Sequence, residues 1–164
     1  MNGTPIFHRT HRAASAACAL ALATALSAGT AFAGECPAQH VTTNGQKPGA
    51  TAHKHVTDKV LAAIPLAREK VALKDHQFRL RRLVIQPGGE VAWHSHAERP
   101  AIIYIVSGMI TEYSSTCAVP IRHKAGDVAR ETSATSHWWK NHGKQPAILL
   151  SADILHEKDD PHTM

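Results

Sequence analysis

From Phe78 onward the chain alternates apolar and polar positions with a period of two, in short runs separated by glycine and proline. That period puts successive side chains on opposite faces of a strand. It predicts strands over 77–86 (QFRLRRLVIQ), 90–96, 100–106, 109–113, 119–121, 127–131, 137–141 and 147–155. Turns are predicted at Pro87-Gly88-Gly89, Ser107-Gly108, Ala125-Gly126 and His142-Gly143. Eight short strands at this spacing, with almost no 3.6-residue pattern, imply an all-β sandwich or barrel.

Within 77–86, Phe78 and Leu80 share one face while Leu83 and Ile85 share the other, so the parity changes at Arg81 and Arg82. A β-bulge there would aim one arginine inward; the alternative is two arginines on a solvent face. Ahead of the strands, residues 58–70 predict one helical turn capped by Thr57 or Asp58 and stopped by Pro65. Residues 34–57 are polar and broken by Pro37, Gly45, Pro48 and Gly49, which predicts an irregular arm with His40, His53 and His55 as ordinary exposed histidines.

Residues 1–33 follow a different logic: Arg9 and Arg12, then an alanine-rich apolar run, then Ala31-Phe32-Ala33. This is the layout of a secretory signal peptide cleaved after Ala33, and the run is too weakly apolar for a membrane anchor. The expected organisation is a signal peptide (1–33), an arm (34–57), one barrel domain (58–156) and a polar tail (157–164), with a secreted or periplasmic location. The formal charge is +5. Removing the two leader arginines leaves sixteen basic against thirteen acidic side chains, and no basic run is long enough for a nucleic-acid footprint. The mature chain keeps Cys36 and Cys117. In an oxidising compartment these are expected to pair and, by closing a long loop, to stabilise the fold by about 4 kcal/mol.

The candidate chemistry sits in residues 87–108, PGGEVAWHSHAERPAIIYIVSG, where His94 and His96 stand at i and i+2 and so share a strand face. A second histidine pair, His137 and His142, follows in AGDVARETSATSHWWKNHG. The spacing of Gly88, His94, His96 and Gly108 resembles the first motif of the cupin superfamily, and that of Gly126, His137 and Asn141 its second. Ala101 stands where the family's glutamate is usual, and Thr132 and Ala134 where its proline and glycine are usual. The resemblance covers residues 78–152 and implies a single-domain cupin, a double-stranded β-helix or jelly-roll barrel. It also implies that His94, His96 and His137 hold one divalent transition metal (Fe, Mn, Ni, Cu or Zn), and that two chains form a homodimer by strand exchange. Strand alternation would add Ala92, Trp139 and Asn141 to the interior.

With Ala101 in the glutamate position, Glu98 is the candidate fourth ligand, two residues beyond His96, although the following Arg99-Pro100 favours lifting it to the rim. His142 and Glu112 are weaker candidates. Trp139, Asn141, Tyr104 and Arg81 are candidate substrate-lining residues, with Arg81 or Arg82 as an anchor for an anion; the tryptophans serve equally as core or dimer interface. Two functions fit: a metal-dependent enzyme on a small molecule (dioxygenase, isomerase, lyase or decarboxylase), or a non-catalytic exported protein that binds a metal or small ligand. No membrane contact is expected after cleavage.

Overall fold

The computed structural model describes Gly3 and residues 34–156, so the expected signal peptide and C-terminal tail lie outside the described residues. The eight strands are β1 (Lys54–Pro65), β2 (His76–Ser95), β3 (Ala101–Ser107), β4 (Met109–Ser114), β5 (Ile121–Lys124), β6 (Val128–Glu131), β7 (Ser136–Lys140) and β8 (Ala147–His156). All pair antiparallel in the order β5-β4-β7-β2-β8-β3-β6, with β1 added to β2. The sheet curls into a nearly closed jelly-roll barrel. Inside it Leu83, Ile85, Val91, Ile103, Ile105, Ile110, Trp139 and Leu149 form the apolar core.

The long strand β2 organises the barrel. Its first half pairs with β1 and β8, and its second half pairs with β7. Pro87-Gly88-Gly89, predicted as a turn between two strands, is instead a bend within this one strand. Gly88 has a φ of +73°, and a Cβ on Gly89 would stand 2.8 Å from the Gln86 carbonyl oxygen. Glycine is thus required where the strand swings from one wall to the other. Backbone bonds from Gly88 N to Asn141 O (2.9 Å) and from Asn141 N to Gly89 O (3.0 Å) hold the bend against the end of β7.

The helical turn predicted after Thr57 is strand β1, followed by a short 3-10 turn at Leu66–Arg68. Pairing with β2 outweighs the weak local helical signal. The arm is irregular except for a 3-10 turn at Ala38–His40 and a bridge from Val41 to Cys117. Cys36 and Cys117 are bonded, with Cα atoms 5.7 Å apart, which ties the arm to the barrel.

Arg81 is inward without any change of parity in β2. Arg79, Arg81, Leu83 and Ile85 all point in, while Phe78, Leu80 and Arg82 point out. Apolarity therefore misassigned the inner face at the start of this strand. The inward arginines are met by buried carboxylates: Arg79 forms a two-point pair with Asp153 (3.0 and 2.9 Å), and Arg81 bonds Asp58 (2.5 Å) and Asp153 (3.1 Å). Charged groups stay buried only with such partners. The register irregularity lies on β1, between Val60 and Ala62, opposite this region.

Candidate metal centre

His94 on β2 faces His137 on β7 directly across the ladder, and His96 follows at the end of β2. The three Nε2 atoms converge: His94 to His96 3.1 Å, His96 to His137 3.0 Å, His137 to His94 3.2 Å. Each Nδ1 faces an oxygen: the Ala92 carbonyl for His94 (2.9 Å), the Arg99 carbonyl for His96 (2.7 Å) and the Glu112 carboxylate for His137 (2.9 Å). A carbonyl or carboxylate accepts, so these contacts favour a proton on Nδ1 and turn Nε2 towards the other rings, while the Trp139 indole N–H stands 3.1 Å from Nδ1 and 3.2 Å from Nε2 of His137.

Three nitrogens without protons cannot bond one another, and a cation among them would use all three lone pairs. Three nitrogens about 2.1 Å from one metal stand about 3.0 Å apart at right angles and about 3.4 Å apart at tetrahedral angles. The observed spacing of 3.0–3.2 Å lies in the range that three imidazole nitrogens would take on one such ion. Burial, reinforced by the charges of the neighbouring rings, pulls the pKa of His94 down to about 2 and that of His96 to about 3. These two rings are held neutral, the form a metal requires.

Behind His137 lies a cluster that strand patterning did not reveal. Glu112 on β4 accepts from both His137 and His123 (2.9 Å each), and a Glu131 oxygen stands 3.4 Å from His137 Nδ1. Burial alone would raise the Glu112 carboxyl, but the hydrogen bonds from His123 and His137 outweigh it and hold it well below the usual range. Burial, then the Glu112 charge, pushes the Glu131 carboxyl well up. The two neighbouring carboxyls are thus pushed in opposite directions. Glu112 is therefore not a ligand of the triad; it orients His137 from the far side of the ring. His142 is also elsewhere, bonded to Tyr113 on the exterior (2.9 Å).

The triad opens into a cavity of about 640 Å³ lined by Arg81, Leu83, Ile103, Trp139, Leu149, Ser151 and Leu155, with Glu98, Arg99 and His53 among the remaining lining residues. Glu98 is exposed and is not gathered with the three histidines. The chain reverses between His96 and Arg99 (Arg99 N to His96 O, 3.1 Å) before Pro100, and this turn carries Glu98 away from the triad. Tyr104 lies on the outer face of β3 between buried Ile103 and Ile105, away from the cavity. Asn141 is fully buried but holds structure: its Nδ2 donates to the carbonyls of Ile85 and Gln145, and its Oδ1 accepts from Gly143 N. Trp139 packs edge-on against His137 and lines the cavity; Trp138 stacks outside on Tyr113 at 4.0 Å. His53, expected to be an ordinary exposed histidine, reaches the cavity and accepts a bond from Ala92 N (3.0 Å).

Residues 81–153 match the family model of the cupin domain. Among solved structures, the chain is similar to a predicted oxalate decarboxylase from Thermotoga maritima (22% identity over 70% of this chain and 97% of that one, TM-score 0.51). It is also similar to KdgF from a Halomonas species (19% identity, 65% and 83% covered, TM-score 0.48) and to a double-stranded β-helix protein from Klebsiella pneumoniae (20% identity, 70% and 83% covered, TM-score 0.48). At these identities the likeness is one of fold. No curated protein matches.

Proposed function

Because the chain belongs to the cupin superfamily and gathers three imidazoles in its barrel, we propose that it is an exported metalloprotein acting as a metal-dependent enzyme on a small molecule. The observation that carries the reading is the convergence of three Nε2 atoms within 3.2 Å, each ring fixed from behind by an oxygen acceptor. His94, His96 and His137 would hold one divalent transition metal. When bound, the metal supplies Lewis acidity and open positions for substrate. The protein supplies the rest: Glu112 fixes the tautomer of His137, Trp139 closes one side of that ring, and the cavity walls keep bulk water from most of the substrate. A homodimer and an oxidising location belong to the same proposal, the latter supported by the Cys36–Cys117 bond.

A second reading, a non-catalytic binder of a metal or small ligand, is favoured by one observation: among the described residues no carboxylate is gathered with the three Nε2 atoms, since Ala101 pairs with Glu131 on the barrel wall and Glu98 is exposed. Elemental analysis of protein purified from its native compartment, without chelator or affinity metal, tests the proposal. About one equivalent of iron, manganese, nickel or copper is the expected result. Absence of any metal from folded protein would refute it, and zinc alone would shift the weight to the second reading. A double variant His94→Ala/His96→Ala that kept a full equivalent would refute the assignment of the ligands.

A further inference from the structure

In the wall of the same cavity, two buried donors have no partner among the described residues. Arg81 is 5% exposed and Ser151 is 1% exposed, and both line the cavity. The Arg81 Nη1 and Nη2 groups bond Asp58 and Asp153, but its Nε finds no acceptor; neither does Ser151 Oγ. The two residues are direct cross-strand partners on β2 and β8, so their side chains rise side by side from the wall. A buried donor left unpaired is costly, and in a folded protein it marks the place of a missing acceptor. The remaining unpaired carboxylate oxygen nearby, Asp58 Oδ1, belongs to a residue that does not line the cavity. This part of the wall therefore offers donors to whatever enters, one of them on a guanidinium. The same cavity also has apolar wall residues: Leu83, Ile103, Leu149 and Leu155.

We propose that Arg81 Nε–H and Ser151 O–H form an anchoring subsite for the carboxylate of a small substrate that has an apolar body. One carboxylate accepts from both donors, as guanidinium and hydroxyl groups favour. The apolar body then lies along the leucine and isoleucine wall, and the far end of the substrate is presented to the three histidines. This assignment deepens the functional reading above and rests on it for the role of the triad; the anchor itself stands on Arg81 and Ser151 alone.

The test is titration calorimetry on the full purified protein with its metal content measured on the same sample. Hexanoate and hexanamide serve as probes matched in shape. Hexanoate should bind at least about tenfold more tightly than hexanamide, and Ser151→Ala should weaken hexanoate about tenfold, and hexanamide less, while leaving metal content unchanged. Arg81→Lys keeps a cation beside Asp58 and Asp153 but removes the Nε–H. It should act in the same direction, and it decides the matter if Ser151→Ala does not fold. Equal affinity for the two probes, or wild-type hexanoate binding in both folded variants, would overturn the subsite. A sample that lacks metal yet loses hexanoate selectivity on Ser151→Ala would sink the metal reading and leave the anchor standing. A fully metallated sample with no effect of either variant would do the reverse.

Discussion

At the residue scale, the second-row contacts decide how well the triad works. Glu112 is the acceptor that holds His137, and the same carboxylate binds His123. Glu112→Gln keeps the shape but presents an amide that accepts and donates by turns. Metal affinity should fall about ten- to hundredfold in a chelator competition, with the metal stoichiometry at saturating metal unchanged. Unchanged affinity would mean that Glu112 only fills space. The rings also set a pH dependence for the metal-free protein. His94 and His96 stay neutral in the folded state down to about 2 and about 3, whereas in the unfolded chain they protonate near 6.5. The unfolded state therefore binds more protons below that value, and the stability these rings give, full above it, is lost as the pH falls from about 6.5 towards 3. Glu131, raised in the folded state, works in the opposite sense and offsets part of this loss. The loss should be readable as a falling urea midpoint between pH 6.5 and 5. A flat profile would argue against buried neutral rings. The three histidines were legible in the sequence because i and i+2 on a strand share a face and the second motif has its own spacing. Glu112 was legible only as a weak candidate ligand, and Glu131 and Ser151 were not legible at all, because alternation places them inside without saying which of the inward polar residues meet across β4, β6, β7 and β8.

At the scale of elements, the buried ion cluster between β1, β2 and β8 carries the largest energetic consequence. Asp153 answers Arg79 at two points and Arg81 at a third, with side chains at most 6% exposed. Asp153→Ala removes the shared carboxylate while the guanidinium groups stay in the wall. Equilibrium unfolding in urea should show a loss of about 3–5 kcal/mol; a loss below about 1 kcal/mol would mean that water already screens the cluster. This cluster is also where strand reading failed. Period two was correct for β2 along its first half, but the inner face begins with Arg79 and Arg81 and the outer face with Phe78 and Leu80. A hydrophobic-inside rule inverts such a stretch and then invents a parity change to recover Leu83 and Ile85. Strands from β3 to β8 were legible to within a few residues because short alternating runs between glycine and proline turns mark them, even where the inner face carries buried polar residues such as Glu112, Glu131 and Asp153. β1 was not, since most of its residues are exposed and no face of it repeats; only its pairing with β2 makes it a strand.

At the scale of the whole molecule, those outward apolar residues form one surface. Ile64 stands opposite Phe78 across β1 and β2, Phe78 opposite Ile154 and Leu80 opposite Ala152 across β2 and β8, and Ile102 and Tyr104 opposite Ala152 and Leu150 across β8 and β3. Val128 on β6 extends the row beside Tyr104. Phe78, Ile64, Ile102 and Tyr104 are each more than two-fifths exposed, so the row is a continuous apolar band across five strands. A soluble chain does not leave such a band to water, and β1 at its margin offers a paired strand through which a second copy can be joined. The proposed homodimer would bury this band, with β1 of each copy lying against the other barrel. Sedimentation should give twice the monomer mass at micromolar concentration. Leu80→Lys together with Ile102→Lys should halve it while leaving the strand-type circular dichroism and the metal content intact, because both side chains point away from the cavity. A wild-type protein that sediments as a monomer at tens of micromolar would remove the dimer. The Cys36–Cys117 bond is independent of that outcome. It closes a separation of 81 residues within one chain. Cys36→Ser with Cys117→Ser should therefore cost about 4 kcal/mol of stability at any protein concentration, whereas the loss from breaking the dimer should shrink with dilution. Measuring both at two concentrations separates the stability that comes from the arm from the stability that comes from the partner.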